Sequence, residues 1–207
     1  KSFDVSPSWF QRLLARRPRQ WLHAVDGVSF DIQRGQTLAL VGESGCGKST
    51  VARLLVGLHS PTRGGLTFDG QDAHAAFNTA EGRQLRRRIQ MVFQDPFASL
   101  NPRWTVGDIV AEPLVEHGIE TEQLAIQQRV EALLRSVGLS PTDRSKFPHQ
   151  FSGGQRQRIS IARALANHPP VILADEPTAP LDSERALAVM RLLNQMAEQA
   201  QTAIIVV

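Results

Sequence analysis

Residues 42–49 read Gly42-Glu43-Ser44-Gly45-Cys46-Gly47-Lys48-Ser49 and follow the spacing G-x-x-x-x-G-K-[ST]. Glycines at this spacing let successive backbone N–H groups turn toward one anion with no Cβ in the way. A helix starting near Lys48 aims the positive end of its dipole at the same point. Lys48 supplies a point charge for the β and γ phosphates, Ser49 a hydroxyl for Mg²⁺, and Thr50 lies within reach of the α phosphate. Glu43, Ser44 and Cys46 fill the remaining positions of the cradle, with Cys46 a packing residue inside it. The chemistry is that of a nucleoside triphosphate with Mg²⁺. A chance Gly-rich turn is the bland alternative; an apolar strand before it and a helix after it argue against that.

A second group sits farther along the chain. Val171-Ile172-Leu173-Ala174 is an apolar run ending in Asp175-Glu176, which has the Walker B form. An acid at the carboxyl end of a buried strand stands where α/β sheets bind ligands. Asp175 can hold Mg²⁺ through a water, and Glu176 is placed to orient or deprotonate an attacking water. Without the phosphate loop, the pair would read as a helix cap. Ser152-Gly153-Gly154-Gln155 puts a hydroxyl and glycine amides at another helix start, a second anion site. A plain N-cap is the competing reading.

These residues need a scaffold. The chain has 207 residues, 42% of them hydrophobic, enough to bury one sizeable core. A net charge of +3 is too mild to argue for nucleic acid as a partner. The single cysteine, Cys46, excludes an internal disulfide and fits a reducing compartment. No apolar run approaches the roughly 18–20 residues a membrane helix needs, so any membrane role comes through a partner. No secretory signal is visible.

Strands are expected over 24–32 and 36–41, with Leu38–Val41 covered on both faces, followed by a helix over about 48–58. Short strands are expected at Leu66–Asp69 and Arg88–Gln94. Between 106 and 150 the apolar residues Leu124, Val130, Leu133, Leu134 and Val137 recur at helical spacing. A helix over about 153–166 and an amphipathic helix over 183–199, with Leu187, Met190, Leu193 and Met196 on its apolar face, flank the Val171–Ala174 strand. Alternating strands and helices imply a parallel sheet with helices on its faces. Both ends read as cut: the chain opens on Lys1 and closes on the strand-like run Thr202–Val207.

The run Phe151–Ser160, F-S-G-G-Q-R-Q-R-I-S, upstream of Asp175-Glu176 resembles the signature of ATP-binding cassette (ABC) ATPases. Stretches such as Ala24–Phe30, Val41–Thr50, Val92–Arg103 and Phe147–Gln155 resemble, within that family, the ATPases of dipeptide, oligopeptide and nickel importers. The resemblance implies an α/β P-loop NTPase (RecA-like) core with N-terminal antiparallel β strands and an inserted α-helical subdomain. It divides one domain over 1–207 into a core of 1–105 and 151–207 and a helical subdomain of about 106–150. It implies that Gln94 touches Mg²⁺ and the attacking water, and that Ser152–Gln155 face the γ-phosphate held by a partner's loop. Asp182, in Ala179-Pro180-Leu181-Asp182, matches the loop that crosses the dimer interface, with Pro180 departing from the usual S-A-L-D. A switch histidine is expected past Val207, and His149 is read as a packing or hydrogen-bonding residue instead. An aromatic ring stacks on adenine: Phe3 is the first candidate, Trp21 and Trp9 the alternatives. The basic runs Arg12, Arg16, Arg17, Arg19 and Arg86-Arg87-Arg88 are read as solvated faces.

The function implied is an ATP-hydrolysing subunit of a peptide-type importer. It pairs with a second ABC ATPase, docks under two transmembrane permeases at the cytoplasmic face of the membrane, and is served indirectly by an extracytoplasmic solute-binding protein. The alternatives are a regulatory, catalytically weak cassette and a non-transport ABC ATPase of DNA maintenance or translation. The latter carry long coiled coils or a second cassette, and neither pattern is present in this sequence.

Overall fold

The computed structural model describes residues 1–6, 18–79, 82–179 and 181–207. Trp9, Arg12, Arg16, Arg17 and Pro180 lie outside the described residues. A two-stranded antiparallel ribbon, β1 (Ser2–Asp4) with β2 (Trp21–His23), opens the chain. Then come β3 (Thr37–Ala39), α1 (Lys48–Leu55), the small antiparallel pair β4 (Thr67–Phe68) and β5 (Gln71–Asp72), α2 (Ala73–Phe77) and α3 (Gly82–Arg88). After β6 (Ile89–Val92) follow α4 (Pro96–Ser99), α5 (Val106–Glu116) and α6 (Gln123–Ser136). Two 3₁₀ turns, Pro141–Ser145 and Pro148–Gln150, lead to α7 (Gly153–Leu165), β7 (Val171–Ala174), α8 (Ser183–Ala200) and β8 (Ala203–Val206).

The main sheet runs β3-β8-β7-β6, and every neighbouring pair is parallel. β7 and β8 are internal, and their side chains are almost all buried on both faces, as unbroken apolar runs require. Side chains alternate between two cores. Ile172, Ala174 and Ile204 join the cluster that includes α5, α6, α7 and α8, while Leu173 and Ile205 join the one around α1 and α2. The helices over 106–136 therefore rest on a core continuous with one face of the sheet.

Four expectations give way. β3 is an edge strand, and Val41 just beyond it is 90% exposed, so Leu38–Val41 is not covered on both faces. Residues 24–32 form no strand. The ribbon ends where Ala24 N and Val25 N both donate to Lys1 O, and Gly27 then turns left-handed at φ 64°. Leu124 is 58% exposed, and Ile126 takes its place on the buried face with Val130, Leu133 and Leu134. Leu187 is half-exposed, and Val189 packs instead. Positions 126, 130, 133 and 134 share one helical stripe, while 124 falls outside it. No helix among the described residues is long and apolar enough to cross a membrane.

Candidate nucleotide site

The loop between β3 and α1 leaves the carboxyl edge of the sheet and runs straight into a helix. Gly47 carries φ 102°, and a Cβ there would lie 2.1 Å from Ala24 O. Glycine is thus required twice, by the backbone turn and by the ribbon's end packed against the loop. The first turn of α1 has no side-chain cap, so its amides remain open to an anion. Lys48 Nζ folds back and donates to Gly42 O at 2.9 Å and Glu43 O at 3.0 Å. The ammonium therefore hangs over the mouth of its own loop. A glycine cradle, an uncapped helix start and a cation converging on one point suit a polyphosphate.

The acids arrive from the neighbouring strands. Asp175 N donates to Val92 O, Glu176 N to Val207 O, and Val207 N to Ala174 O, which carries the parallel ladder past the strand ends. Asp175 is buried, and its Oδ1 accepts from Ser49 Oγ at 3.1 Å. Glu176 stands at φ 42°, an uncommon conformation for a non-glycine residue. Its Oε2 accepts from Gln94 Nε2 at 2.7 Å. Lys48, Ser49, Asp175, Glu176 and Gln94, named from three separated segments, thus meet along one edge of the sheet.

Ser152–Gln155 and Asp182 form a separate group. Ser152 Oγ accepts from Gln155 N at 3.4 Å while Gln155 Oε1 accepts from Ser152 N at 3.0 Å, a capping box at the start of α7. Asp182 caps α8, with Oδ1 accepting from Arg185 N at 3.0 Å and Oδ2 3.3 Å from the Arg185 guanidinium. The two caps are adjacent: a Cβ on Gly154 would touch Arg185 Cδ at 3.4 Å, and one on Gly153 would lie 3.9 Å from Leu181. Among the described residues, no hydrogen bond or ion pair joins Ser152–Gln155 to the Gly42–Thr50 loop.

Phe3 lies edge-on to His59, with ring centroids 5.5 Å apart, and Lys1 Nζ stands 5.1 Å from its ring. Trp21, on the opposite face of the ribbon, is 51% exposed. His149 is exposed and stacks on Phe147, with ring centroids 5.8 Å apart.

Sequence reasoning missed Arg163. Its Nη1 donates to Ser99 O at 2.7 Å, and Ser99 Oγ lies 3.2 Å from Ser160 Oγ. These bonds fasten the segment after Gln94 to the helix that begins at Ser152. Burial pushes the guanidinium's pKa down, and Glu112 opposes that. The available signal was a lone cation inside the apolar stretch Ile159–Leu165.

Comparison with known proteins supplies the lineage. The ABC transporter family matches residues 25–179. The oligopeptide transport ATP-binding protein AppF of Bacillus subtilis (strain 168) is 46% identical over 199 residues, covering 96% of this chain and 59% of that protein. The di/tripeptide transport ATP-binding protein DppF of Pseudomonas aeruginosa (strain UCBPP-PA14) is 48% identical, covering 88% of this chain and 56% of that protein. The chain thus spans somewhat over half the length of these relatives. The solved dimeric, post-hydrolysis ATP-binding cassette MJ0796, bound to ADP and Pi, superposes with a TM-score of 0.78 at 32% identity, covering 90% of this chain and 80% of that one. Fold, phosphate loop and relatives agree: the chain belongs to the ABC transporter family and carries its P-loop ATP-binding domain.

Proposed function

We propose that this chain is the ATP-hydrolysing engine of an importer for peptides or a related small solute. The observation that carries the reading is the convergence of Lys48, Ser49, Asp175, Glu176 and Gln94 at the carboxyl edge of the sheet. The close peptide-transport relatives support the solute class.

Gly42–Thr50 hold the ATP phosphates, and Lys48 neutralises charge that builds on the transferred phosphoryl group. Mg²⁺ supplies further charge neutralisation when bound, and Ser49, Asp175 and Gln94 are the groups that hold it. No cluster of three acidic, histidine or cysteine side chains suited to a metal occurs among the described residues. A cation here leans on substrate phosphates and water, as Mg²⁺ commonly does. Glu176 takes a proton from the attacking water, and Gln94 fixes the carboxylate's direction. Phe3 stacks on adenine, with Trp21 and Trp9 the alternatives.

Ser152–Gln155 and Asp182 act across an interface, on nucleotide held by a second ABC subunit. Residues 1–105 and 151–207 act as the ATP-binding core and about 106–150 as the helical subdomain. Closure of the pair moves two permeases, which places the chain peripherally at the cytoplasmic face of the membrane. The test reconstitutes the full-length protein with its permeases in vesicles and measures ATP hydrolysis with and without a peptide-loaded binding protein. Peptide-stimulated hydrolysis is expected. Hydrolysis indifferent to peptide would refute the importer, and none at all would refute the engine.

A further inference from the structure

At the amino ends of the parallel strands, opposite the nucleotide loop, lies a cleft of about 1000 Å³. It is bounded by α3, the turn after α5, the loop that leads into β7 and the end of α8. Parallel α/β sheets bind their main ligand at the other edge, so nothing in the nucleotide reading uses this cleft.

Its lining is cationic. Arg83 and Arg87 stand one helical turn apart on α3, and neither has a hydrogen-bonding or acidic partner among the described residues. Arg34 and Arg88 also line it and share Asp69. Glu116 is the one acidic residue in the lining. The local field is legible on the histidines. Burial lowers the pKa of His117, and Arg87 and Arg83 lower it further against the pull of Glu116. His168 is lowered by burial and by Arg129. α5 and α8 both end here, but their last carbonyls already accept from Gly118, Ile119 and Thr202 N–H groups, which mutes the negative ends of the helices.

We infer that this cleft binds a small phosphorylated molecule, with Arg83 and Arg87 gripping the phosphate. Guanidinium forks match phosphate oxygens bidentately. The same chemistry exists in a soluble sugar phosphate and in a glycerol-bearing lipid headgroup.

The test uses the full-length protein with its nucleotide site saturated by ADP and Mg²⁺, so that the phosphate loop cannot take the probe. Calorimetry at low salt titrates fructose 1,6-bisphosphate in one arm and vesicles of phosphatidylglycerol in phosphatidylcholine in the other. Saturable binding in either arm is expected, and the arm that binds identifies the source. The paired substitution Arg83→Ala with Arg87→Ala should weaken it by about tenfold or more. No binding in either arm, undiminished binding in the arginine variant, or binding of polyglutamate in place of both probes would overturn the inference. None of these residues belongs to the nucleotide machinery, so a failure here leaves the proposed ATPase reading standing.

Discussion

The carboxylate of Glu176 is held by two constraints at once, a left-handed backbone and a 2.7 Å bond from Gln94. Conformations of this kind cost about 1–3 kcal/mol and persist where the surroundings over-determine them. Glu176→Gln keeps an oxygen to accept from Gln94, so the local fold should survive while the base is lost. Turnover should fall by about 10²-fold or more with ATP still bound; single-turnover hydrolysis alongside equilibrium ATP binding checks both, and near-normal hydrolysis would remove Glu176 from its role. Lys48→Ala should act differently. Its ammonium already sits over Gly42 and Glu43 carbonyls at the loop mouth, so its loss should reduce nucleotide affinity and turnover together. A fluorescent ATP analogue bound as tightly as before would contradict that. Both groups were legible in the sequence because local spacing encodes them. Arg163 was not, because a buried cation is recognised by its distant acceptor, Ser99 O, and no local pattern announces a partner 64 positions away.

Among the elements, those with strong periodicity or capping were the easiest to read. β7 lies over Val171–Ala174 as expected, and α7 and α8 begin at Gly153 and Ser183, where helices are expected. α5 starts at Thr105, whose Oγ1 accepts from Asp108 N at 3.2 Å while Asp108 Oδ2 accepts from Thr105 N at 3.2 Å. Its buried face, Val106, Ile109, Val110 and Leu114, anchors the helices over 106–136 to the sheet. Thr105→Ala removes one half of the box and should destabilise the protein by about 1 kcal/mol in urea unfolding, with nucleotide affinity unaltered because the cap lies outside the nucleotide site. An affinity loss would mean that the start of α5 helps to place Gln94. The misreadings share a cause. Leu124, Leu187 and residues 24–32 are apolar or β-branched stretches whose burial depends on what packs over them. An edge strand or an exposed helix flank supplies no such cover.

On the scale of the whole molecule, the two sets of groups proposed to bind phosphate are separate. Lys48 and Glu176 gather at the strand ends, whereas Ser152 and Asp182 cap neighbouring helices and touch one another's surroundings through Gly154 and Arg185. A helix start with two glycines is a ready anion site, and a head-to-tail pair is the arrangement that gives it an anion to meet. Two substitutions separate this role from simple capping. Ser152→Arg replaces a small hydroxyl with a bulky side chain and also removes the cap, a loss of about 1 kcal/mol. Ser152→Asp keeps a good cap but opposes a phosphate with like charge. Both should leave ATP binding to the chain's own loop intact, because Lys48 and the first turn of α1 are untouched. Both should abolish ATP-dependent pairing, measured by light scattering in a Glu176→Gln background where hydrolysis cannot reopen the dimer. If Ser152→Asp pairs normally, the hydroxyl is only a cap. If either isolated variant stops binding ATP, Ser152 acts within its own chain, and the two-subunit sandwich has to be abandoned.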